Sequence, residues 1–299
     1  MKLAETFTSN LHVRVRYYIY QPKVVLRVKG IVQIYHGRGE HADMYDHFAR
    51  YLLDNGYVVV VPDIVGHGQS LIDFEQGYYG NEKGIDYLVK DIVRLQTIIR
   101  KRFDDAPFFM IGVDFGSLLI RKYMSEYGEY IEGAILLGTI AQVKYAWLKK
   151  KYFDMLCMMK GPLYKNSIFR HVFHKGHNLN TDHWVTDDAS EMNEYLNDPM
   201  RNFIYTTQSY RDFIDLINDV NSDVTISKIP EYLSLYVGKG KDDKIDCGMK
   251  LLIEKYKKQK IRDFTYREFD NCGHSLIFDR DKRDVYKDVL KWLDERTYL

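Results

Sequence analysis

The chain has 299 residues, a hydrophobic fraction of 45%, a charged fraction of 28% and a formal net charge of +1. This length accommodates one large or two ordinary domains, and the near-neutral charge argues against binding of nucleic acid or of an anionic membrane surface. No apolar run approaches the roughly 18 residues of a membrane-spanning helix, and the N-terminal stretch lacks the apolar core of a signal peptide. The cysteines Cys157, Cys247 and Cys272 are widely spaced and indicate no disulfide framework. We therefore expect a soluble cytoplasmic protein.

Strand and helix patterns alternate in the first part of the chain. Residues 3–35 alternate polar and apolar side chains as strands do, and the segment 31–35 is apolar enough to be a buried strand. A helix is predicted from about 43 to 54, where Asn55-Gly56 closes it. The β-branched run at 57–61 indicates a strand that is covered on both faces, as in a parallel sheet.

This alternation continues to residue 138 and resumes near residue 229. Between about 139 and 229 the sequence predicts several helices and no strand. Strands that alternate with helices imply right-handed βαβ units and a mainly parallel sheet. An insertion between two of its strands would lie over their carboxyl ends, where α/β sheets place their sites. The remaining predicted helices are at 85–102, 248–258 and 283–296, and the remaining strands at 108–113, 133–138, 232–237 and 264–269.

The segment Phe108–Leu119 is the most informative part of the sequence. An apolar strand ends in Gly112-Val113-Asp114-Phe115-Gly116, and a segment with helical character follows at once. Strand, sharp turn and helix are the setting of the nucleophile elbow, G-x-S-x-G, in which two glycines permit a strained turn. The central residue of the elbow carries the attacking side chain, and in this chain that residue is Asp114.

Four motifs together resemble the lysophospholipase and monoacylglycerol-lipase branch of the α/β-hydrolases. They are Tyr35–His41, Pro62–Ser70, the elbow and Cys272-Gly273-His274, and two cap segments, Asp182–Thr186 and Glu194–Pro199, add to the resemblance. The resemblance implies a serine carboxylester hydrolase that acts on monoacyl lipids or similar esters, without a metal or an organic cofactor. It also implies a mostly parallel sheet of about eight strands with helices on both faces and an α-helical cap. We expect core residues 1–138 and 229–299 with a cap at 139–228.

The resemblance assigns roles to four positions besides Asp114. His274 stands where the family has its catalytic base, and an imidazole can accept and return a proton at neutral pH. The backbone N–H groups of Arg38 and Phe115 would form the oxyanion hole. Asp243 fits the acid that orients His274, with Asp242 as the close alternative, and a solvated charged turn at these two residues is the competing interpretation.

Asp114 is the largest departure from the family pattern, and three interpretations compete. Asp114 could be a true nucleophile, as in the related haloalkane dehalogenases and epoxide hydrolases, with His274 activating water against the alkyl-enzyme ester. Those relatives usually have Trp or Arg after the aspartate, whereas this chain has Phe115. The site could instead have lost its chemistry and only bind, or the aspartate could be a replacement of serine in a lipase-like chain. Ser117 lies one helical turn beyond the elbow and does not restore the motif.

For the other candidate sites, we favour structural roles over catalytic or binding roles. We interpret His67 and Asp63 as structural residues of their loop. Gly238-Lys239-Gly240 lacks the context of a phosphate-binding loop. Two features of the cap leave alternatives open. Its histidines could form a zinc site, although solvated side chains fit their spacing better, and its apolar residues suit either an acyl-binding lid or helix packing. These residues are His171, His174, His177 and His183, and Phe153, Met155, Leu156, Met158 and Met159.

We therefore expect a small-molecule or monoacyl-lipid substrate, no cofactor, no metal, no nucleic acid and no integral membrane association. The sequence carries no signal for an oligomeric state.

Overall fold

The computed structural model describes residues 1–24, 27–103, 105–169, 186, 188–201, 203–243, 245 and 248–297. Over these residues the strands form one eight-stranded sheet in the order β1-β2-β4-β3-β5-β6-β7-β8. The two pairs that involve β2 are antiparallel, and all other neighbours are parallel. The strands are Lys2–Thr8, Arg14–Tyr20, Gly30–Tyr35, Tyr57–Pro62, Phe108–Val113, Gly133–Leu137, Ser234–Gly240 and Phe264–Phe269, numbered β1 to β8. The predicted mostly parallel α/β-hydrolase sheet is confirmed.

Helices cover both faces of this sheet. In the described residues they are Asp46–Asp54, Gly84–Arg100, Phe115–Tyr127, Ala146–Lys160, Ala189–Asn197, Thr207–Val220, Asp223–Ile226, Met249–Lys258 and Lys282–Asp294, numbered α1 to α9. Helices α2, α3 and α8 pack on one face, and α1 and α9 on the other. Helix α3 begins at Phe115, within the elbow motif itself.

The alternation of side chains along β4 shows why this strand is apolar throughout. Val58 and Val60 belong to the core on one face of the sheet, while Val59 and Val61 belong to the core on the other. Successive side chains of a strand point to opposite faces, so a strand between two helical layers needs apolar residues at every position. All six residues of β4 are buried, as the sequence pattern predicts.

The described residues between β6 and β7 form helices α4 to α7 and no strand, in agreement with a helical insertion. The bounds 139 and 228 of a separate cap stay a prediction. Arg121 of α3 ties this insertion to the core, because its buried guanidinium donates to the carbonyl oxygens of Ile140 and Val220 at 3.1 and 2.9 Å. In the cap itself, Phe153 of α4 stacks on Tyr210 of α6, with ring centroids 5.0 Å apart.

Candidate active site

Asp114 occupies a sharp turn between β5 and α3. Its φ of 43° and ψ of −108° lie in a region that non-glycine residues rarely adopt, which indicates local strain. The two glycines of the motif make the turn possible. A Cβ atom at Gly112 would lie 2.5 Å from the Cα of Ser117, and one at Gly116 would lie 2.2 Å from the carbonyl oxygen of Tyr35. The turn thus needs glycine at both positions, and it presents the Asp114 side chain at the carboxyl edge of the sheet.

His274 and Asp243 come to this edge from the loops that follow β8 and β7. His274 Nε2 lies 3.5 Å from Asp114 Oδ1, and His274 Nδ1 donates to Asp243 Oδ2 at 3.0 Å. All three side chains are almost fully buried, with exposures between 2% and 6%. Asp242 is exposed, and its backbone N–H donates a hydrogen bond to the carbonyl oxygen of Cys272. Of the two candidate acids, Asp243 is therefore the one in contact with the imidazole.

In Gly238-Lys239-Gly240, the glycine at position 240 is explained by close packing and not by phosphate binding. A Cβ atom at Gly240 would lie 2.0 Å from the carbonyl oxygen of Gly273. Glycine at this position lets the end of β7 approach the loop that carries His274. This close approach brings Asp243 and His274 into contact.

Arg38 holds one oxygen of the Asp114 carboxylate with both its backbone and its side chain. The Arg38 backbone N–H donates to Asp114 Oδ2 at 3.0 Å, and Nε donates to the same oxygen at 3.2 Å. The backbone contact is the one expected of an oxyanion-hole donor. Phe115, the other predicted donor, is the first residue of α3, a position where backbone N–H groups have no partner within the helix.

The loop that carries Arg38 is held by contacts that the motif analysis did not identify. Gly37 N–H donates to the buried carboxylate of Glu40 at 2.7 Å, and the Tyr45 hydroxyl donates to the same oxygen at 2.5 Å. Gly39 N–H donates at 2.7 Å to the hydroxyl of Tyr205, which reaches down from the cap. The loop beside Asp114 is thus fixed from the core and from the cap together.

The sequence could indicate the contribution of Arg38 to this site, but not that of Tyr205. An aspartate in place of serine at a buried elbow needs a nearby positive charge, and Arg38 in the glycine-rich loop was a signal for it. Tyr205 gives no such signal, because it is one of 25 tyrosines and lies 91 residues beyond Asp114 in the chain.

Electrostatics link these side chains into a row of alternating charges. Burial opposes ionisation of Asp114, but the positive charges of Arg38 and His274 outweigh it and hold the pKa of this carboxyl below its usual range. Burial also opposes protonation of His274, but the carboxylates of Asp243 and Asp114 raise the pKa of the imidazole to about 10. The two carboxylates on either side of the imidazole thus favour the protonated, cationic form of His274 in the resting site.

A narrow space with room for about one water molecule lies beside Arg38 at the elbow. Its wall is mostly aromatic and includes one charged side chain, that of Arg38. The guanidinium lies over the ring of Phe213, 4.4 Å from the centroid, a distance typical of a cation–π contact. The other lining residues are Tyr79, Phe115, Tyr205, Ser209 and Tyr210.

His67 and Asp63 make contacts within and between loops. His67 Nε2 accepts from the Tyr205 hydroxyl at 2.6 Å, and burial lowers the pKa of its imidazole to about 4. Asp63 accepts from the backbone N–H groups of Ala42 and Gln69. These contacts agree with the structural roles predicted for both residues.

Further predictions concern the cap and metal binding. His171, His174, His177 and His183 lie outside the described residues, as do Asp182–Val185 of the cap motif. Among the residues that are described, no three His, Cys, Asp or Glu side chains converge on a possible metal position.

Of the apolar cap residues, Phe153 is buried and Leu156 is partly buried. Met155, Met158 and Met159 are exposed, so packing among the described residues does not account for them, and the acyl-binding lid stays a prediction. Among the described residues, no helix has both the length and the hydropathy that a membrane-spanning segment requires.

Comparison with known proteins agrees with this geometry. The family described as serine aminopeptidase, S33, matches residues 27–281. Monoglyceride lipase of Mus musculus is 29% identical over 112 residues, 38% of this chain, and an abhydrolase domain-containing protein of Dictyostelium discoideum is 23% identical over 89% of it. These alignments span only about a third and about a quarter of the relatives' own lengths.

Among solved structures, a thermostable carboxyl esterase from Bacillus coagulans superposes with a TM-score of 0.89 at 23% identity over 99% of both chains. A soluble variant of monoglyceride lipase from Saccharomyces cerevisiae superposes with a TM-score of 0.80 at 19% identity, over 99% of this chain and 96% of the other. At these identities the structures show a shared fold. The chain thus belongs to the serine aminopeptidase S33 family of α/β-hydrolases, in the branch that resembles monoglyceride lipases.

Proposed function

We propose that the protein is a hydrolase of small, largely apolar compounds, of the size of a monoacyl lipid or smaller, and that Asp114 is its nucleophile. One observation carries the proposal. Asp114 Oδ2 is held by a backbone N–H group while Oδ1 faces His274, which Asp243 supports on its other nitrogen. This arrangement fixes one oxygen of the carboxylate and leaves the other beside the imidazole that would activate water in the second step.

The first step is a displacement at a saturated carbon. Asp114 Oδ1 attacks the carbon, the bond from that carbon to its leaving group breaks, and the electron pair departs with the leaving group. The product is a neutral alkyl ester on Asp114. This step needs no base, because a carboxylate is already ionised at neutral pH.

The second step hydrolyses that ester. Loss of the Asp114 charge removes one of the two carboxylates that keep His274 protonated, so the imidazole releases its proton to solvent and becomes a base. His274 Nε2 then takes a proton from water, and the hydroxide attacks Cγ of Asp114. Negative charge develops on Oδ2, which is 3.0 Å from the Arg38 N–H, within the range of an effective oxyanion donor. Collapse breaks the Cγ–Oδ1 bond, and the departing alcohol takes the proton from His274. The Asp114 carboxyl group then passes its proton to His274, which restores the resting carboxylate and imidazolium.

The carboxylester hydrolysis implied by the family resemblance thus takes place on the protein's own aspartyl ester. Direct attack of Asp114 on the acyl carbon of a substrate ester would give an anhydride, which is unfavourable relative to an acyl-serine. A cationic His274 also accepts no proton from a nucleophile. We therefore expect the protein to have little activity toward monoacyl esters themselves.

The decisive experiment traps the alkyl ester. The protein with His274→Ala is incubated with a panel of alkyl halides and epoxides, and the peptide that contains Asp114 is examined by mass spectrometry. We expect a stable adduct on Asp114, and Asp114→Asn in the same background is the matched control. In the unsubstituted protein, turnover in H₂¹⁸O should place ¹⁸O in the Asp114 carboxylate, because water attacks Cγ. Absence of an adduct with every compound would overturn the nucleophile assignment.

A second experiment asks whether the lipase-type machinery survives. Asp114→Ser should raise hydrolysis of an activated short-chain ester by at least about 10²-fold, because His274 would regain the neutral form and serve as a general base. His274→Ala in the Asp114→Ser background should abolish the gain. An unchanged rate in Asp114→Ser would count against a working base and oxyanion hole.

A binding role without turnover is the second candidate function. The observation in its favour is the contact of the Arg38 side chain with Asp114, which neutralises the nucleophile position and places a guanidinium beside the narrow space. This role would be the surviving account if neither the adduct nor the esterase gain were found.

A further inference from the structure

The loop that carries His274 contains a buried carboxylate to which the proposed mechanism gives no role. Asp279 lies five residues after His274, and its side chain is fully buried. A buried carboxylate is costly unless hydrogen-bond donors surround it. Both oxygens of Asp279 accept from backbone N–H groups, Oδ2 from Gly273 at 2.7 Å and Oδ1 from Arg280 at 2.9 Å. The first of these contacts acts on the residue that directly precedes His274.

The contact with Gly273 fixes one peptide group of this loop at both of its polar atoms. The peptide that joins Cys272 to Gly273 consists of the Cys272 carbonyl and the Gly273 N–H. Its oxygen accepts from the Asp242 backbone N–H at 3.1 Å, and its N–H donates to Asp279 Oδ2 at 2.7 Å. Because a peptide group is planar, these two hydrogen bonds on opposite atoms fix its rotation about the chain. The direction in which the chain enters His274 is thereby set.

Gly273 is the point in the loop where such a constraint matters most. Glycine has no Cβ atom, so its backbone adopts more conformations than that of any other residue. A rotation there would swing the imidazole of His274 away from Asp243, and the two side chains meet through a single hydrogen bond of 3.0 Å. Such a bond weakens quickly when its length or angle changes. The hydrogen bond from Gly273 to Asp279 opposes this rotation.

Asp279 is itself held in place at its other oxygen. Oδ1 accepts from the Arg280 N–H and lies 3.3 Å from the hydroxyl of Thr186, a buried residue of the insertion between β6 and β7. The same hydroxyl lies 3.1 Å from the carbonyl oxygen of Phe278. These contacts fix the plane of the Asp279 carboxylate, so that Oδ2 is presented to Gly273 in one orientation.

We propose that Asp279 is a positioning residue for His274, which acts through the Cys272–Gly273 peptide to hold the imidazole against Asp243. The inference rests on the proposed function, in which His274 is the base of the second step. Asp279 acts on the backbone before His274, so its effect reaches the chemistry through the imidazole. Since the first step needs no base, Asp279 should matter for hydrolysis of the aspartyl ester and not for its formation.

Asp279→Asn tests the proposal with little change of shape. An amide has one acceptor oxygen, so either Gly273 or Arg280 loses its acceptor. The probe is the alkyl halide or epoxide that labels Asp114 most strongly in the His274→Ala protein. After excess compound is removed, the ester on Asp114 should disappear about 10-fold more slowly in Asp279→Asn than in the unsubstituted protein. The rate of ester formation should stay the same.

A second measurement does not require turnover. The His274 Nδ1 proton that is donated to Asp243 gives a low-field NMR resonance, which Asp243→Asn identifies. We expect this resonance to broaden or move upfield in Asp279→Asn. Asp281→Asn is the matched control, because it removes a charge from the same loop while its amide oxygen can still accept from Asn271. Neither measurement should change in Asp281→Asn. Asp279→Ala takes the place of Asp279→Asn if the latter does not fold.

The outcomes separate this inference from the proposed function. Equal ester hydrolysis or an unchanged resonance in a folded Asp279 variant would overturn the positioning role and leave the nucleophile in place. Equal slowing of ester formation and ester hydrolysis would also overturn it, because a general loosening of the structure affects both steps. Loss of the resonance in Asp279→Asn, without labelling of Asp114 by any compound, would overturn the hydrolase and leave Asp279 as the residue that orients His274.

Discussion

The charge of His274 is the property on which the proposed mechanism depends most directly. At an effective dielectric constant of about 20, unit charges at the 3.0 and 3.5 Å separations of Asp243 and Asp114 from the imidazole attract by roughly 5 kcal/mol each. Burial of the imidazolium costs several kcal/mol. The remainder is on the order of 5 kcal/mol, and it corresponds to a rise of the His274 pKa from 6.5 to about 10.

Replacing Asp114 by Asn should therefore lower the pKa of His274 from about 10 to about 6.5, because one of two comparable attractions is lost. Replacing Asp243 by Asn should lower it by a similar amount. The pKa is measured from the histidine Cε1–H resonances in an NMR titration between pH 5 and 11, with His274→Gln to assign the signal. The Asp114→Asn side chain imitates the neutral aspartyl ester, so this variant reports the basicity of His274 in the second step.

A pKa of His274 at or below 6.5 in the unsubstituted protein would refute this reasoning, because the imidazole would then be a base in the resting site. Stability offers an independent check with a definite sign. The folded-state pKa lies above the unfolded value, so the His274 contribution is complete below about pH 6.5 and is lost as the pH rises through about 10. The free energy of unfolding should fall over this interval by a few kcal/mol more than it does in His274→Gln.

Three further substitutions test how the site is built, each by urea-induced unfolding. Gly116→Ala should lower the free energy of unfolding by at least about 2 kcal/mol, because its Cβ would lie 2.2 Å from the Tyr35 carbonyl oxygen, and an unchanged midpoint would contradict the packing at the elbow. Tyr205→Phe should lower the free energy of unfolding by about 1–3 kcal/mol and slow alkylation of Asp114, because Gly39 N–H loses its acceptor. An unaltered alkylation rate would show that this contact with the cap does not affect the loop that carries Arg38. Arg121→Met should lower the free energy of unfolding by about 3 kcal/mol and speed proteolysis in the cap, because two buried carbonyl oxygens lose their donor. Equal protease resistance would show that other contacts hold the cap to the core.

The fold was predictable because its main signals are local. The β-branched run of β4 and the helical spacing in α2 follow from how side chains alternate on a strand and on a helix, and they need no knowledge of distant residues. Gly112 and Gly116 could likewise be interpreted in advance, because the steric demands of a strand-to-helix turn are set within a few residues. The position of Asp114 at the elbow follows from the same local rules.

The charge state of the site depended on tertiary structure. Asp242 and Asp243 are adjacent, and which carboxylate meets His274 was decided by the close approach of Gly240 to the loop after β8. The direction of the Arg38 side chain was decided by Asp114, 76 residues further along the chain. Adjacent residues in a loop can point either way at little local cost. The choice is made by contacts with distant segments that only the folded chain brings together.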